Sequence, residues 1–377
     1  MVLPDVGDGT SSAPYEISNA GHLKAIADKV NEGDAHYAGA HYKLTEDIDL
    51  APFRKGAGWT PIGDETNKFN GTFDGNGKTI FNLNISRTHD YAGLFGYVSS
   101  RAWIIDFDLL NCNVTGLNYV GGVAGRVEDS TLDGCRSWCR VSGNNYVGGI
   151  AGVVYPGSSI TNSSARGRIE GNEEVGGIAG VALEGSISNS YATGNVTGSR
   201  DVGGVVGIVN DGEISNCYAT GNVTGSMNNV GGVAGNATYA STINNCYARG
   251  NITGSNYVGG VVGSVSSAGS ANYCAALNSS IVRTPGSSET DFGRVAGLSD
   301  GILYNNVANS AMTVLGVTTS SGAPNNPDGH GVDPGTGTGQ FNNEDIYANA
   351  PLFWDFNSTP IWKWGGAANP YPILYWQ

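Results

Sequence analysis

Glu170, Glu173 and Glu174 crowd one short stretch, and Asp201 follows Glu174 by 27 residues with Arg200 beside it. Carboxylates brought close together are suited to general acid–base attack on glycosidic bonds, because one acid can be held protonated while its neighbour stays ionised. Glu173, Glu174 and Asp201 are therefore the candidate catalytic residues. The competing description is a solvated acidic turn, since the equivalents of Glu174 elsewhere in the chain are Tyr119, Tyr146, Asn229 and Tyr257. Other catalytic patterns fail. The five histidines, His22, His36, His41, His89 and His330, form no HExxH, which excludes a zinc peptidase of that type, and no GxSxG offers a nucleophile elbow. Asp328 and Asp333 lack the spacing of a calcium loop. No cofactor and no metal is expected.

Tyrosines make a better case for binding than the acids make for catalysis. Tyr191, Tyr218 and Tyr247 recur in phase, and Tyr119, Tyr146 and Tyr257 form a second set. Rings about 4.8 Å apart, if exposed, offer a track for sugar faces or an extended peptide; the alternative is that they stack and stiffen a turn.

What brings these residues into columns is a repeat. VGGVAG at 120–125 returns as VGGIAG at 147–152 and 175–180, VGGVVG at 202–207, VGGVAG at 230–235 and VGGVVG at 258–263, a period of 27–28 residues. Out of phase with it run ITNSSARGRIEG at 160–171, ISNSYATGNVTG at 187–198, ISNCYATGNVTG at 214–225 and INNCYARGNITG at 243–254. Short Val/Ile/Thr/Tyr runs broken by Gly-Asn or Gly-Ser are strands and turns. A unit this short cannot bury its apolar face alone, so successive units must stack as coils, each strand pairing in parallel with its copy one repeat later. The expected fold is all-β, a parallel β-helix. Asn162, Asn189, Asn216 and Asn245 then align as a structural ladder at a turn. Cys135, Cys217, Cys246 and Cys274 share a column with Ser163 and Ser190, which favours a reduced stack of small side chains; Cys112 and Cys139 share another column, with pairing left open.

Composition agrees. Glycine supplies 59 of 377 residues, too many for a helical bundle and without the period of collagen. A net charge of −14 argues against nucleic acid as a partner, and no apolar run is long enough for a transmembrane segment. The start of the sequence lacks the pattern of a signal peptide, which fits a cytosolic protein or a mature chain. Within a single domain, residues 1–62 read as an N-terminal cap with an amphipathic helix over 20–33, 63–315 as the β-helix, 316–340 as a Gly/Pro/Asp-rich loop and 341–377 as an aromatic C-terminal cap holding Trp354, Trp362, Trp364 and Trp376, a lid for the last coil. GTFDGNGKTIFNLNI at 71–85 reads as strand, turn, strand.

The repeated VGGVAG and ISNSYATGNVTG, preceded by a helix, LTEDIDL, WTPIG and GTFDGNGKTI, resemble proteins carrying the GLUG motif, found in bacterial adhesin-like surface proteins. They are also similar to the solenoid beside the catalytic part of IgA-cleaving zinc metallopeptidases. The resemblance covers about residues 15–315 and the Trp-rich segment. It implies a right-handed β-helix, secreted or on the cell surface, with no catalytic residues attached to its repeats and with no anchoring signal visible here. The function expected is therefore a non-catalytic, adhesin-like scaffold for a glycan or an extracellular protein, its oligomeric state open; the alternative is a polysaccharide-degrading lyase or hydrolase.

Overall fold

The computed structural model describes residues 2–287, 291–315, 317–318, 327–328, 330–332, 340, 342–356, 361–366 and 369–377. Asp333, one of the two calcium candidates, lies outside them, as does most of the 316–340 loop. The chain winds into a parallel β-solenoid of about ten turns with repeats of about 28 residues.

One turn shows the plan: Asn145–Gly148, Ala151–Val154, Ser159–Thr161, Ser164–Ala165 and Ile169–Glu170 are its strands. Each pairs in parallel with its copy in the next turn, Val147 with Val175, Ala151 with Ala179, Ile160 with Ile187 and Ile169 with Val196. The inward residues of all turns, Val147, Ile150, Val154, Ile160 and Ile169 in this one, merge into a single core that runs the length of the rod. Because inward residues such as Val147, Ile150, Ile160 and Ile169 sit on like-sized copies in the next turn, the repeat propagates packing as well as hydrogen bonds.

The glycines of VGGVAG are fixed by close approach. A Cβ on the second glycine at Gly204 would stand 2.0 Å from the Gly232 carbonyl oxygen, and one on the third, Gly207, 2.6 Å from that of Gly180 and 2.7 Å from that of Asp201. Backbone fills those spaces, so no side chain fits. The third glycine thus lets the corner occupied by Asp201 and its equivalents fold tightly against the following strand.

At the N-terminal end the helix α1, Ala20–Asn31, is capped by Asn19, whose side chain accepts from the His22 amide, and it buries Leu23, Ile26, Ala27 and Val30. Asn31 ties it to the first turns, donating to the Pro61 carbonyl and accepting from the Gly63 amide. Asp-Gly-Asn-Gly at 74–77 does not reverse the chain as the sequence suggests. Thr72–Phe81 is one strand, paired in parallel with Trp103–Leu110 on both sides of an irregularity between Asp74 and Lys78. Asn76 and Gly77 take left-handed conformations there, making a bulged corner instead of a hairpin.

The aromatic C-terminal segment also departs from expectation. It lies along the flank of the rod rather than over its last turn: Trp354 donates to the Tyr273 carbonyl, Trp362 packs near Tyr218 and Tyr247, and Trp376 donates to the Asn189 carbonyl. This strap runs back across about four turns.

Candidate functional site

The corner that precedes each VGGVAG strand is the most informative column in the molecule. Tyr91, Tyr119, Tyr146, Glu174, Asp201, Asn229 and Tyr257 occupy it, all with φ from 52° to 62°. Such left-handed backbone suits asparagine and aspartate and costs a bulky residue roughly 1–2 kcal/mol. At three of these corners neighbouring rings compensate: Tyr91 and Tyr119 stack at 5.0 Å, Tyr119 and Tyr146 at 4.8 Å. All three are half-buried. Their faces are taken up by each other, so edges and hydroxyls, rather than the flat track the spacing suggested, are what they offer a ligand. Tyr257 stands in the same column, separated from Tyr146 by the turns of Glu174, Asp201 and Asn229.

Beside the ladder, the guanidinium of Arg126 sits 3.9 Å from the Tyr155 ring centroid and 4.7 Å from that of Tyr97, with the Lys68 ammonium 4.5 Å from the same Tyr97 centroid. Glu128 accepts from the Tyr97 hydroxyl and pairs with Arg126 at 3.6 Å. The sequence repeat did not reveal Tyr91, Tyr97, Arg126 or Tyr155 as part of this cluster. Tyr91 was hidden by one missing residue: Ala92 bridges Val120 while Phe95 pairs Ala124, so AGLFG is a shortened copy of the motif.

The acids continue the same column. Glu174 faces Asp201 one turn on, and burial, with the charges of Asp201 and Glu173 adding to it, raises its carboxyl to about 7. Burial also raises Asp201, against hydrogen bonds from Asn229 and Asn236 and the charge of Arg200. Arg200 bonds Glu173 at 2.5 Å and approaches Asp201 at 3.4 Å, while Asn229 donates to Asp201 at 2.7 Å. Glu170, by contrast, is held by Arg168 two residues before it and by Arg140 one turn back. The structure thus brings Glu173, Glu174 and Asp201 together, two of them engaged by protein groups, and leaves Glu174 Oε2 without a hydrogen bond. Among the described residues no three His, Cys, Asp or Glu side chains gather as metal ligands.

The other tyrosine column differs. Tyr191, Tyr218 and Tyr247 stack at 4.9 and 4.8 Å, nearly parallel, but they are at most 5% exposed because the strap lies on them. Their hydroxyls meet Arg166, Gln377 and the Pro372 carbonyl. An exposed track at these three residues is corrected: the chain's own tryptophans occupy it.

Asn162, Asn189, Asn216 and Asn245 adopt φ of 47–53° at a second corner, and the ladder is joined at Asn245 to Asn216 (3.3 Å) and Asn162 to Asp133 (2.7 Å). In the adjoining column Cys135, Cys217, Cys246 and Cys274 are free and buried. Size is not all that this column selects. The γ atom accepts from the amide of the preceding turn, Ser163 Oγ from Cys135 N at 3.1 Å and Cys246 Sγ from Cys217 N at 3.4 Å, and donates to the carbonyl two residues back. Serine and cysteine interchange because both do this. Cys112 and Cys139 are joined in a disulfide across adjacent turns, settling their pairing.

Four consecutive segments, residues 143–170, 171–197, 198–224 and 228–253, match the GLUG motif. The chain is thus a parallel β-solenoid that carries four GLUG motifs. Over 112 residues it is 37% identical to a candidate Gly-rich membrane protein of Evansella cellulosilytica, covering 29% of this chain and 12% of that one. Over 128 residues it is 38% identical to halomucin of Haloquadratum walsbyi, covering 32% of this chain and 1% of that one. The chain therefore spans a small fraction of the curated relatives it matches. A crystal structure of a candidate immunoglobulin A1 protease from Bacteroides ovatus superposes with a TM-score of 0.53 over 98% of this chain and 95% of that one, at 22% identity, which shows a shared fold.

Proposed function

We propose that this GLUG-repeat solenoid is an extracellular, adhesin-like scaffold that holds a glycan or protein ligand without cleaving it. The observation that carries the reading is the half-exposed Tyr91–Tyr119–Tyr146 ladder, strained in its backbone and flanked by Arg126 between two further rings. Strain retained at a surface corner is commonly tied to binding. The rings offer hydroxyls and edges at coil spacing, and the cation beside them adds a directional donor. A location outside the cell is supported by the Cys112–Cys139 disulfide, a bond that persists in oxidising compartments, and by the names of the two relatives. The test is binding of the full chain to arrays of glycans and extracellular proteins. Tyr119→Ala with Tyr146→Ala should lower the strongest signals at least tenfold; unchanged signals would overturn the reading.

One observation favours the alternative, a polysaccharide-degrading enzyme: Glu174, its carboxyl raised by burial to about 7, beside Asp201. Screening uronate and neutral polysaccharides decides between them. Chain cleavage that disappears in Glu174→Gln would replace the scaffold by the enzyme.

A further inference from the structure

Between the rod and the strap lies a cleft of about 480 Å³, lined on the rod by Glu213, Asn216, Asn244, Asn245 and Tyr273 and on the strap by Leu352 and Phe353. Its size falls within the roughly 300–1,000 Å³ of small-ligand sites. Phe353 is peculiar in two ways at once. Its φ is 51°, a conformation that bulky side chains avoid, and its ring is 63% exposed. Neither feature helps the strap to pack, since Leu352 and Trp354 on either side are 1% and 3% exposed and supply that contact. An apolar ring held outward by unfavourable backbone, at the lip of a polar cleft, is arranged for something outside the chain.

The opposite wall supplies complementary groups. Asn245 donates its amide to Asn216 Oδ1 at 3.3 Å and Asn272 donates to Asn244 Oδ1 at 3.0 Å. Those bonds use the carbonyl ends of Asn216 and Asn244 and fix the rotation of both carboxamides, which leaves their amide nitrogens as oriented donors. Glu213, exposed on the neighbouring column, is an acceptor. Tyr273, also at a left-handed corner with φ of 54°, adds a second ring. Two amide donors, a carboxylate acceptor and an exposed ring together match the mixed surface of a sugar, whose hydroxyls both give and take hydrogen bonds and whose C–H face packs on aromatics.

We infer that this cleft is a binding site for a short neutral saccharide, with Phe353 as the stacking platform and Asn216, Asn244 and Glu213 as hydroxyl partners. Uronates are disfavoured by Glu213 and by a net charge of −14. The site is separate from the Tyr119–Tyr146 edge and does not depend on it.

The experiment is titration of the full chain with neutral gluco-, manno-, xylo- and chito-oligosaccharides and with an oligouronate of matched length. At least one neutral series should bind, with affinity reduced tenfold or more by Phe353→Gly and by Asn244→Ala. Phe353→Gly should at the same time raise the thermal midpoint, because glycine accepts the left-handed backbone. A structural role for Phe353 requires the opposite, a lower midpoint. Absence of binding by every neutral series overturns the inference, as does preference for the uronate or insensitivity to Phe353→Gly. Binding lost only in the Tyr119/Tyr146 variant overturns it too, while leaving the ladder reading in place.

Discussion

Two tyrosine columns run along this rod at the same spacing, yet one is sealed and the other open to solvent. Tyr191, Tyr218 and Tyr247 sit in flat strand segments, Tyr191–Ala192, Tyr218–Ala219 and Tyr247–Ala248, so their rings form an even platform with interplanar angles of 3–5°. A platform that even and apolar invites a partner, and the strap provides one in Trp354, Trp362 and Trp376. Tyr119 and Tyr146 sit at left-handed corners, with rings 20° from parallel. The column that packs best was used up internally, whereas the strained column remains available. Stacking by itself thus says nothing about binding; backbone conformation and cover decide it.

The largest effect should come from breaking the seal. Trp362 is 1% exposed and stacks on Trp354 at 4.7 Å while touching Tyr218 and Tyr247. Trp362→Ala should cost about 3–5 kcal/mol, the usual loss for emptying a large aromatic site. Because the described strap contacts lie along the flank, the loss should appear as local release. Hydrogen exchange is expected to rise at residues 361–377 and at Tyr191–Tyr247 side-chain neighbours, with the core amides of Val175, Val202 and Val230 still protected. Cooperative loss of protection throughout would show that strap and rod fold as one unit, and the comparison between a sealed and an open column would lose its basis.

A smaller effect contrasts the columns directly. Tyr218→Asn places an amide in a buried aromatic stack and should destabilise by about 3 kcal/mol or more. Tyr146→Asn removes a stacking interaction worth about 0.5–1.5 kcal/mol but relieves a left-handed tyrosine costing about 1–2, so the net change should stay within about 1 kcal/mol of zero. Tyr257→Asn, at a corner whose neighbour one turn back is Asn229, should be neutral or stabilising. Urea denaturation of the three variants is the measurement. Equal losses at Tyr218 and Tyr146 would mean that the corner column is as much a part of the packing as the covered one.

The solenoid was legible because a stacked repeat writes its contacts into the period: VGGVAG every 27–28 residues places Val147 against Val175 and Val175 against Val202, and the paired registers follow. The columns of Asn, Cys/Ser and Tyr were legible for the same reason. What the period cannot carry is contact between non-equivalent parts of the chain. The strap reaches Asn189 from Trp376, a separation of 187 residues with no repeat to announce it, so the burial of Tyr191, Tyr218 and Tyr247 was invisible. The Phe353 cleft was missed for that reason as well. Conformation at single residues was hidden in another way: nothing in YVGG says that tyrosine is left-handed, although the alignment of Tyr119 and Tyr146 with Asn229 and Asp201, residues that tolerate such backbone, held a usable hint.

The smallest effect concerns how the open column changes where tyrosine gives way to acid. Glu174 is raised from the ordinary 4.5 to about 7, chiefly by burial and then by the charges of Asp201 and Glu173. The folded protein therefore binds more protons than the unfolded chain between these values, and its stability must fall as pH rises through that window and level off above it. The full shift corresponds to about 3 kcal/mol, but the carboxylate is partly open to solvent, which screens it, and about 1 kcal/mol is the expected contribution. Glu174→Gln should match the wild type near pH 4.5 and exceed it by about 1 kcal/mol at pH 8. Asp201, raised in the same direction, adds a slope of the same sign to both proteins. Denaturation at the two pH values checks this. Parallel pH profiles would show that Glu174 ionises without penalty, that the acidic turns are as solvated as an ordinary surface, and that the column differs from its tyrosine half in charge but not in burial.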